Sequence, residues 1–268
     1  MLQAPVARPG LFFTRVLEGG ILILTMRKKI TTVYVFLASV IFAIAFTFRY
    51  YKLWSRLYSW IFIPKRIRNL EPLLRPNPDE ALARTLKLPY RPDGHRELFD
   101  VCAAPGLAES KIIGLESGET VDLSTSNDCD DSARHVANSL DPVFSPYLVS
   151  IICIDRRDMK YGIFPKFPGH CVCVWIEPSG NLKEDELQPI YHMGNWNSRK
   201  DIDAREFKFT DFADVAKDLA SKMAGDENNV LAWLVMDPYL RTCAWGMGMP
   251  PSMCAIELGK LRPMALIG

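Results

Sequence analysis

Residues 170–177 read HCVCVWIE, with apolar side chains following one another instead of alternating with polar ones. A strand with one wet face alternates; an unbroken short apolar run is expected where both faces are covered. Residues 147–155 (YLVSIICID) and 229–236 (NVLAWLVM) repeat the pattern. Rich in β-branched and aromatic residues, the three runs predict the central strands of one sheet. Residues 209–224 (FTDFADVAKDLASKMA) have helical spacing instead. Phe212, Val215, Ala216 and Leu219 share a face, Thr210 is placed to cap the start, and Gly225 suits the end.

The rest of the C-terminal region reads less clearly. Residues 97–103 (ELFDVCA) suggest a strand, and residues 111–116 and 120–124 a hairpin around Ser117-Gly118-Glu119. A polar loop is expected over 126–131, a short helix over 131–140, and a largely irregular tail around Gly246, Gly248, Pro250 and Pro251. Together these segments predict an α+β domain, a mixed, strand-rich sheet with a few packed helices.

Towards the N-terminus, residues 30–48 (ITTVYVFLASVIFAIAFTF) are uncharged and lie between Arg27-Lys28-Lys29 and Arg49-Tyr50-Tyr51-Lys52. At about 1.5 Å per residue this run would extend roughly 28 Å, the thickness of a bilayer's hydrocarbon core. In lipid every backbone polar group must be paired within the segment, so the run predicts one N-terminal transmembrane helix. A signal peptide has a shorter apolar stretch and a small-residue cleavage site. Here Phe48-Arg49-Tyr50-Tyr51 follows, so an uncleaved signal anchor is expected. A buried helix of a soluble core is the alternative.

Residues 53–70 place Leu53, Trp54, Leu57, Tyr58, Trp60 and Ile61 at helical spacing, followed by Lys65, Arg66 and Arg68. This reads either as an interfacial helix on anionic lipid or as a linker helix packed on the domain. Residues 71–90 contain Pro72, Pro76, Pro78 and Pro89 and read as a tether with a short helix over 79–86. The expected organisation is an N-terminal segment (1–29), a transmembrane helix (30–48), an interfacial helix and tether (49–90), and a globular domain (91–268).

Four cationic residues (Arg15, Arg27, Lys28, Lys29) precede the span within 20 residues and six (Arg49, Lys52, Arg56, Lys65, Arg66, Arg68) follow it. The positive-inside rule then favours a cytosolic globular domain, although the compact Arg-Lys-Lys pulls the other way. Arg8 and Arg15, with no acidic residue before Glu18, have the composition of a mitochondrial presequence, so the mitochondrial inner membrane is the alternative location. Pro5 and Pro9 interrupt its helix, and Met26 would itself make a start for a signal anchor. Seven Cys and no Asn-x-Ser/Thr sequon favour a reducing compartment. A net charge of +1 argues against a nucleic-acid surface. The expected partners are membrane lipids, with other membrane proteins or a membrane-associated substrate.

Three strings carry candidate chemistry. Asp100-Val101-Cys102-Ala103-Ala104-Pro105-Gly106 resembles the first motif of class I methyltransferases. The resemblance implies S-adenosylmethionine beside Asp100, Ala104 and Gly106, where small residues let the ligand approach the backbone. Without the resemblance, the string is a strand followed by a Pro-Gly turn. His95 and Asp100 have the His-x4-Asp spacing of glycerolipid acyltransferases, a resemblance that implies Asp100 orienting His95 as base. His170, entering a strand after Phe-Pro-Gly, is similar to the His of papain-like thiol hydrolases, implying Cys254 or Cys102 as nucleophile. Its alternative is a strand-start His satisfied by backbone carbonyls.

Cys171 and Cys173 share a strand face with Trp175 and read as small buried apolar residues. Asn127-Asp128-Cys129-Asp130-Asp131 could coordinate a cation, including the nucleotide-bound metal of a glycosyltransferase. A solvated turn that caps the next helix explains it more economically, and no metal site is expected. The function expected from all this is a membrane-anchored accessory, assembly or interaction module. An anchored transferase and a thiol hydrolase using His170 are the alternatives.

Overall fold

The computed structural model describes residues 32–34, 36–37, 60–61, 64–75, 77–90, 104–123, 128–161, 165–181, 187–193 and 208–264. The chain divides into two units, Met1–Phe42 and Ala43–Gly268. In the first, residues 32–34 and 36–37 are helical, with Val33, Phe36 and Leu37 exposed. Among the described residues no helix is long and apolar enough to cross a membrane. Most of residues 30–48 lie outside them, as does the strand expected over 97–103.

The second unit is α+β. In chain order its elements are α1 (Lys65–Arg68), α2 (Pro78–Thr85), α3 (Pro105–Ser117), α4 (Cys129–Ser139), β1 (Tyr147–Cys153), β2 (Gly169–Ile176), β3 (Ile190–Met193) and β4 (Lys208–Phe209). Then follow α5 (Phe212–Ala224), β5 (Val230–Met236), β6 (Thr242–Met247) and α6 (Ala255–Gly259). The strands form one six-stranded sheet of order β4-β3-β2-β1-β5-β6, every neighbouring pair antiparallel. The expectation of a mixed sheet is corrected here. Helices cover both faces, so antiparallel strands read as unbroken apolar runs, a pattern that carries no direction.

The pleat sends successive residues to opposite layers. Val172, Val174 and Ile176 of β2 join Val149 and Ile151 of β1 and Trp233 and Val235 of β5 beneath α5 and α6. Cys171, Cys173 and Trp175 face the other way, against Ala133, Val136 and Ala137 of α4 and Ala81 and Leu82 of α2. Trp175 is 1% exposed and stacks on Tyr191 at 5.8 Å. Phe212 meets the edge of Trp233 at 6.0 Å.

Local signals account for most element ends. Asp211 caps α5 through a 2.7 Å bond from the Ala213 N–H, taking the role expected of Thr210, and Gly225 closes it at φ 70°. Asp128 caps α4, which starts at Cys129, two residues earlier than expected. Asn77 caps α2, accepting from the Glu80 N–H at 2.9 Å, with Pro78 at the first helical position. The stretch expected as a tether is therefore packed into the domain, with Ala81, Leu82 and Leu88 buried.

Two expected elements are corrected. The first arm of the hairpin expected over 111–124 belongs to α3, and residues 120–123 after it form no strand. Pro105 starts the helix, and Gly118 ends it at φ 76° as a helix C-cap, the same residue that suggested a turn. The tail expected to be irregular carries β6 and α6. Gly246 belongs to the strand because the Trp233 ring lies across it; a Cβ there would stand 2.8 Å from the ring.

Candidate functional site

Gly106 lies in the first turn of α3, and Ala104 forms its N-cap. A Cβ at position 106 would overlap the carbonyl oxygens of Ile67 and Leu70, which belong to α1 and the residues just after it. The close approach that glycine permits is thus taken by the chain's own backbone. Ala104 is itself buried, at 8% exposure. Of the residues implied for S-adenosylmethionine, Gly106 and Ala104 serve helix packing, and Asp100 lies outside the described residues. His95 and Cys102 lie outside them too.

Behind Gly106, α3 turns a charged face inward. Glu109 is 1% exposed and accepts from Arg84 of α2 through Nη2 at 2.5 Å and Nε at 3.0 Å. Its other oxygen lies 2.9 Å from His135 Nε2 on α4, and His135 Nδ1 lies 2.7 Å from the Thr85 hydroxyl. Thr85 Oγ1 is also 3.0 Å from the Ala81 carbonyl oxygen. Arg84 reaches Glu116 through Nη1 at 2.8 Å, and Lys87 pairs with the same carboxylate. Burial works to raise the Glu109 carboxyl, but the hydrogen bonds from His135 and Arg84 outweigh it and bring it down to about 2. Thr, His and Glu in a line have the residue types of a nucleophile, base and orienter. Yet Thr85 and His135 are both 0% exposed, and the group joins three helices across a closed interface. Its chemistry is that of a buried ionic clamp.

His170 and His192 lie on the opposite layer, beneath α5. His192 Nε2 is 3.1 Å from Asp218 Oδ2, which also accepts from Lys222 Nζ at 2.8 Å, and the imidazole stacks on Phe209 at 5.5 Å. Burial pulls His170 down to about 4, helped by the proximity of His192 and Lys222 and opposed by Asp130. Burial also lowers His192, against the raising effect of Asp218. Both imidazoles are therefore held neutral near pH 7.

Cys254 caps α6, its N–H donating to Glu257 Oε2 at 2.9 Å. It is bridged to Asp211 at the start of α5, near the Ile176 end of β2, where α6 packs. His170 sits at the other end of β2, six positions away, or roughly 20 Å along the strand. The structure does not bring this His and this Cys together. Burial pushes the Cys153 thiol up to about 12 and the Cys243 thiol up to about 11.

Asp128, Cys129 and Asp130 offer ligand atoms within 4.8 Å of one another. Asp128 already caps α4, accepting from the Asp130 N–H at 3.3 Å and the Asp131 N–H at 3.5 Å. Burial and both neighbouring carboxylates push the Cys129 thiol well up. Capping is the role this geometry fills. Comparison with family models, with curated proteins and with solved structures finds no match to this chain.

The clamp was invisible as a site to sequence reasoning. Arg84, Glu109 and His135 are 25 and 26 residues apart and belong to no spacing motif. No signal in the sequence marks it, because the burial of Glu109 and Lys111 and the exposure of Ile113 and Leu115 are decided by the neighbouring helices.

Proposed function

We propose that the protein is a single-pass, membrane-anchored interaction module whose α+β domain works at the membrane surface. The observation that carries this reading is the uncharged stretch 30–48 between cationic flanks. The described polar clusters support it, since each is engaged in holding helices or strands to one another. Residues 30–48 are the transmembrane helix, and the domain faces the cytosol, with the mitochondrial inner membrane as the alternative location. Its partners are lipids and other membrane proteins.

The transferase reading is less supported, because the backbone of Ile67 and Leu70 fills the space that Gly106 leaves. The thiol-hydrolase reading has its His170 and Cys254 at opposite ends of β2.

Alkaline extraction of membranes from cells expressing the full chain tests the anchor. Retention in the pellet, with the domain open to protease only after the outer membrane of the compartment is breached or left open on the cytosolic side, is the expected result. Release into the supernatant removes the reading. Cross-linking in intact membranes then tests the module: a reproducible adduct with a second membrane protein is expected, and a chain that stays monomeric argues for an enzyme.

A further inference from the structure

The chain between the proposed span and the sheet is fixed to the domain at two points. The first is the seat of α1 on α3, where the Ile67 and Leu70 carbonyls lie against Gly106. The second is the backbone bond from the Arg75 N–H to the Ser139 carbonyl at 2.7 Å, part of a bridge between Arg75 and Leu140. Ile67 and Leu70 turn inward and are half-buried. What remains outward is cationic and apolar, with one acidic residue, Glu71. Lys65 and Arg66 are exposed, Trp60 is 71% exposed, and Leu74 is 67% exposed, with Ile61 and Leu73 beside them. Pinned at both ends, Leu73 and Leu74 are held outward by the fold.

Charge says what this surface meets. No Asp or Glu occurs between Glu18 and Glu71, and residues 49–70 carry six Lys and Arg. An exposed Trp and aliphatics among cations that outnumber the one exposed anion, Glu71, match the headgroup region of an anionic leaflet: ammonium and guanidinium groups meet phosphate while the apolar side chains enter the acyl boundary. We infer that residues 60–61 and 64–75 form a lipid-reading surface that binds anionic phospholipid headgroups and, through the Gly106 seat, sets the globular domain in a fixed attitude on the bilayer. This rests on the reading of residues 30–48 as a span, because the span brings the surface to a membrane.

The test uses the full chain reconstituted into vesicles of phosphatidylcholine alone or with phosphatidylserine. Flotation reports the anchor, and the rate of tryptic cleavage after Arg68 reports the surface. The full chain floats with both vesicles, and cleavage is about tenfold slower when phosphatidylserine is present, a protection that added salt abolishes. In the variant Lys65→Glu/Arg66→Glu, which changes two exposed side chains, flotation and melting temperature stay as in the parent while the lipid-dependent protection disappears. Gly106→Ala, which unseats α1, has the same effect on protection. Flotation with equal cleavage rates on both vesicles overturns the inference and leaves the anchor standing. Protection seen in native membranes but on neither vesicle assigns the surface to a protein partner and also overturns it. A chain that does not float removes the anchor reading, and the inference with it.

Discussion

His135 Nε2 lies 2.9 Å from Glu109 Oε2, a contact between two side chains that water does not reach. Through Glu109, α4 is tied to α3, and through Arg84 α3 is tied to α2. Removing one member of a buried ionic group leaves the others without compensation. Glu109→Leu is therefore expected to destabilise the domain by about 3–5 kcal/mol. The denaturant midpoint of the full chain in mild detergent measures it. Arg84→Met added to Glu109→Leu should recover part of the loss; a strictly additive pair would argue against direct coupling.

Burial of His170 gives stability a defined pH dependence. Its folded value, about 4, lies below the ordinary 6.5, so in that interval the unfolded chain holds the extra proton. Stability contributed by the neutral imidazole is full above about pH 6.5 and is lost as pH falls towards 4. His192 acts in the same direction, with Asp218, Lys222 and Asp130 as the charges around the pair. His170→Gln is expected to flatten the slope of unfolding free energy between those pH values. An unchanged slope would assign the dependence elsewhere.

Thiol chemistry sorts by burial. Cys254 is exposed, whereas Cys153, Cys171, Cys173 and Cys243 are buried, and burial raises the Cys153, Cys173 and Cys243 thiols. A small alkylating reagent at mildly alkaline pH should label Cys254 first and these four only on unfolding. Peptide mass mapping of the described cysteines checks the order. Labelling of Cys173 in the native protein would contradict the packing of β2.

Gly246 lets the Trp233 indole lie flat across β6. A Cβ would press against ring atoms in a packed layer, so Gly246→Ala is expected to cost about 1–3 kcal/mol. Near-ultraviolet circular dichroism should change with it, since Trp233 also contacts Phe212. A silent substitution would mean that the indole has room to shift.

The strands β1, β2 and β5 and the helix α5 were legible because each is decided by what its own residues bury. β2 is buried from His170 to Ile176, and its alternate residues serve two cores, which is why its sequence does not alternate. The α3 helix was misread because it is buried on several sides, with Glu109 and Lys111 among its buried residues while Ile113 and Leu115 are exposed. Reading burial from hydropathy fails where a buried carboxylate is neutralised by residues far away in the chain. Likewise β6 was missed because its Gly246 marks the position of an indole from the neighbouring strand.

By itself, then, the sequence determined the α+β class, the central strands, the α5 helix with Gly225 at its end, and a cationic, apolar N-terminal region. These depend on properties local to a segment: apolar periodicity, a run of cations, a glycine where φ is positive. Only the tertiary structure decided that every strand pairing is antiparallel, that Gly106 is the seat of α1, and that Arg84, Glu109 and His135 form one clamp. Those outcomes depend on which distant groups meet, and the free energy of a buried contact exists only once the whole layer around it has formed.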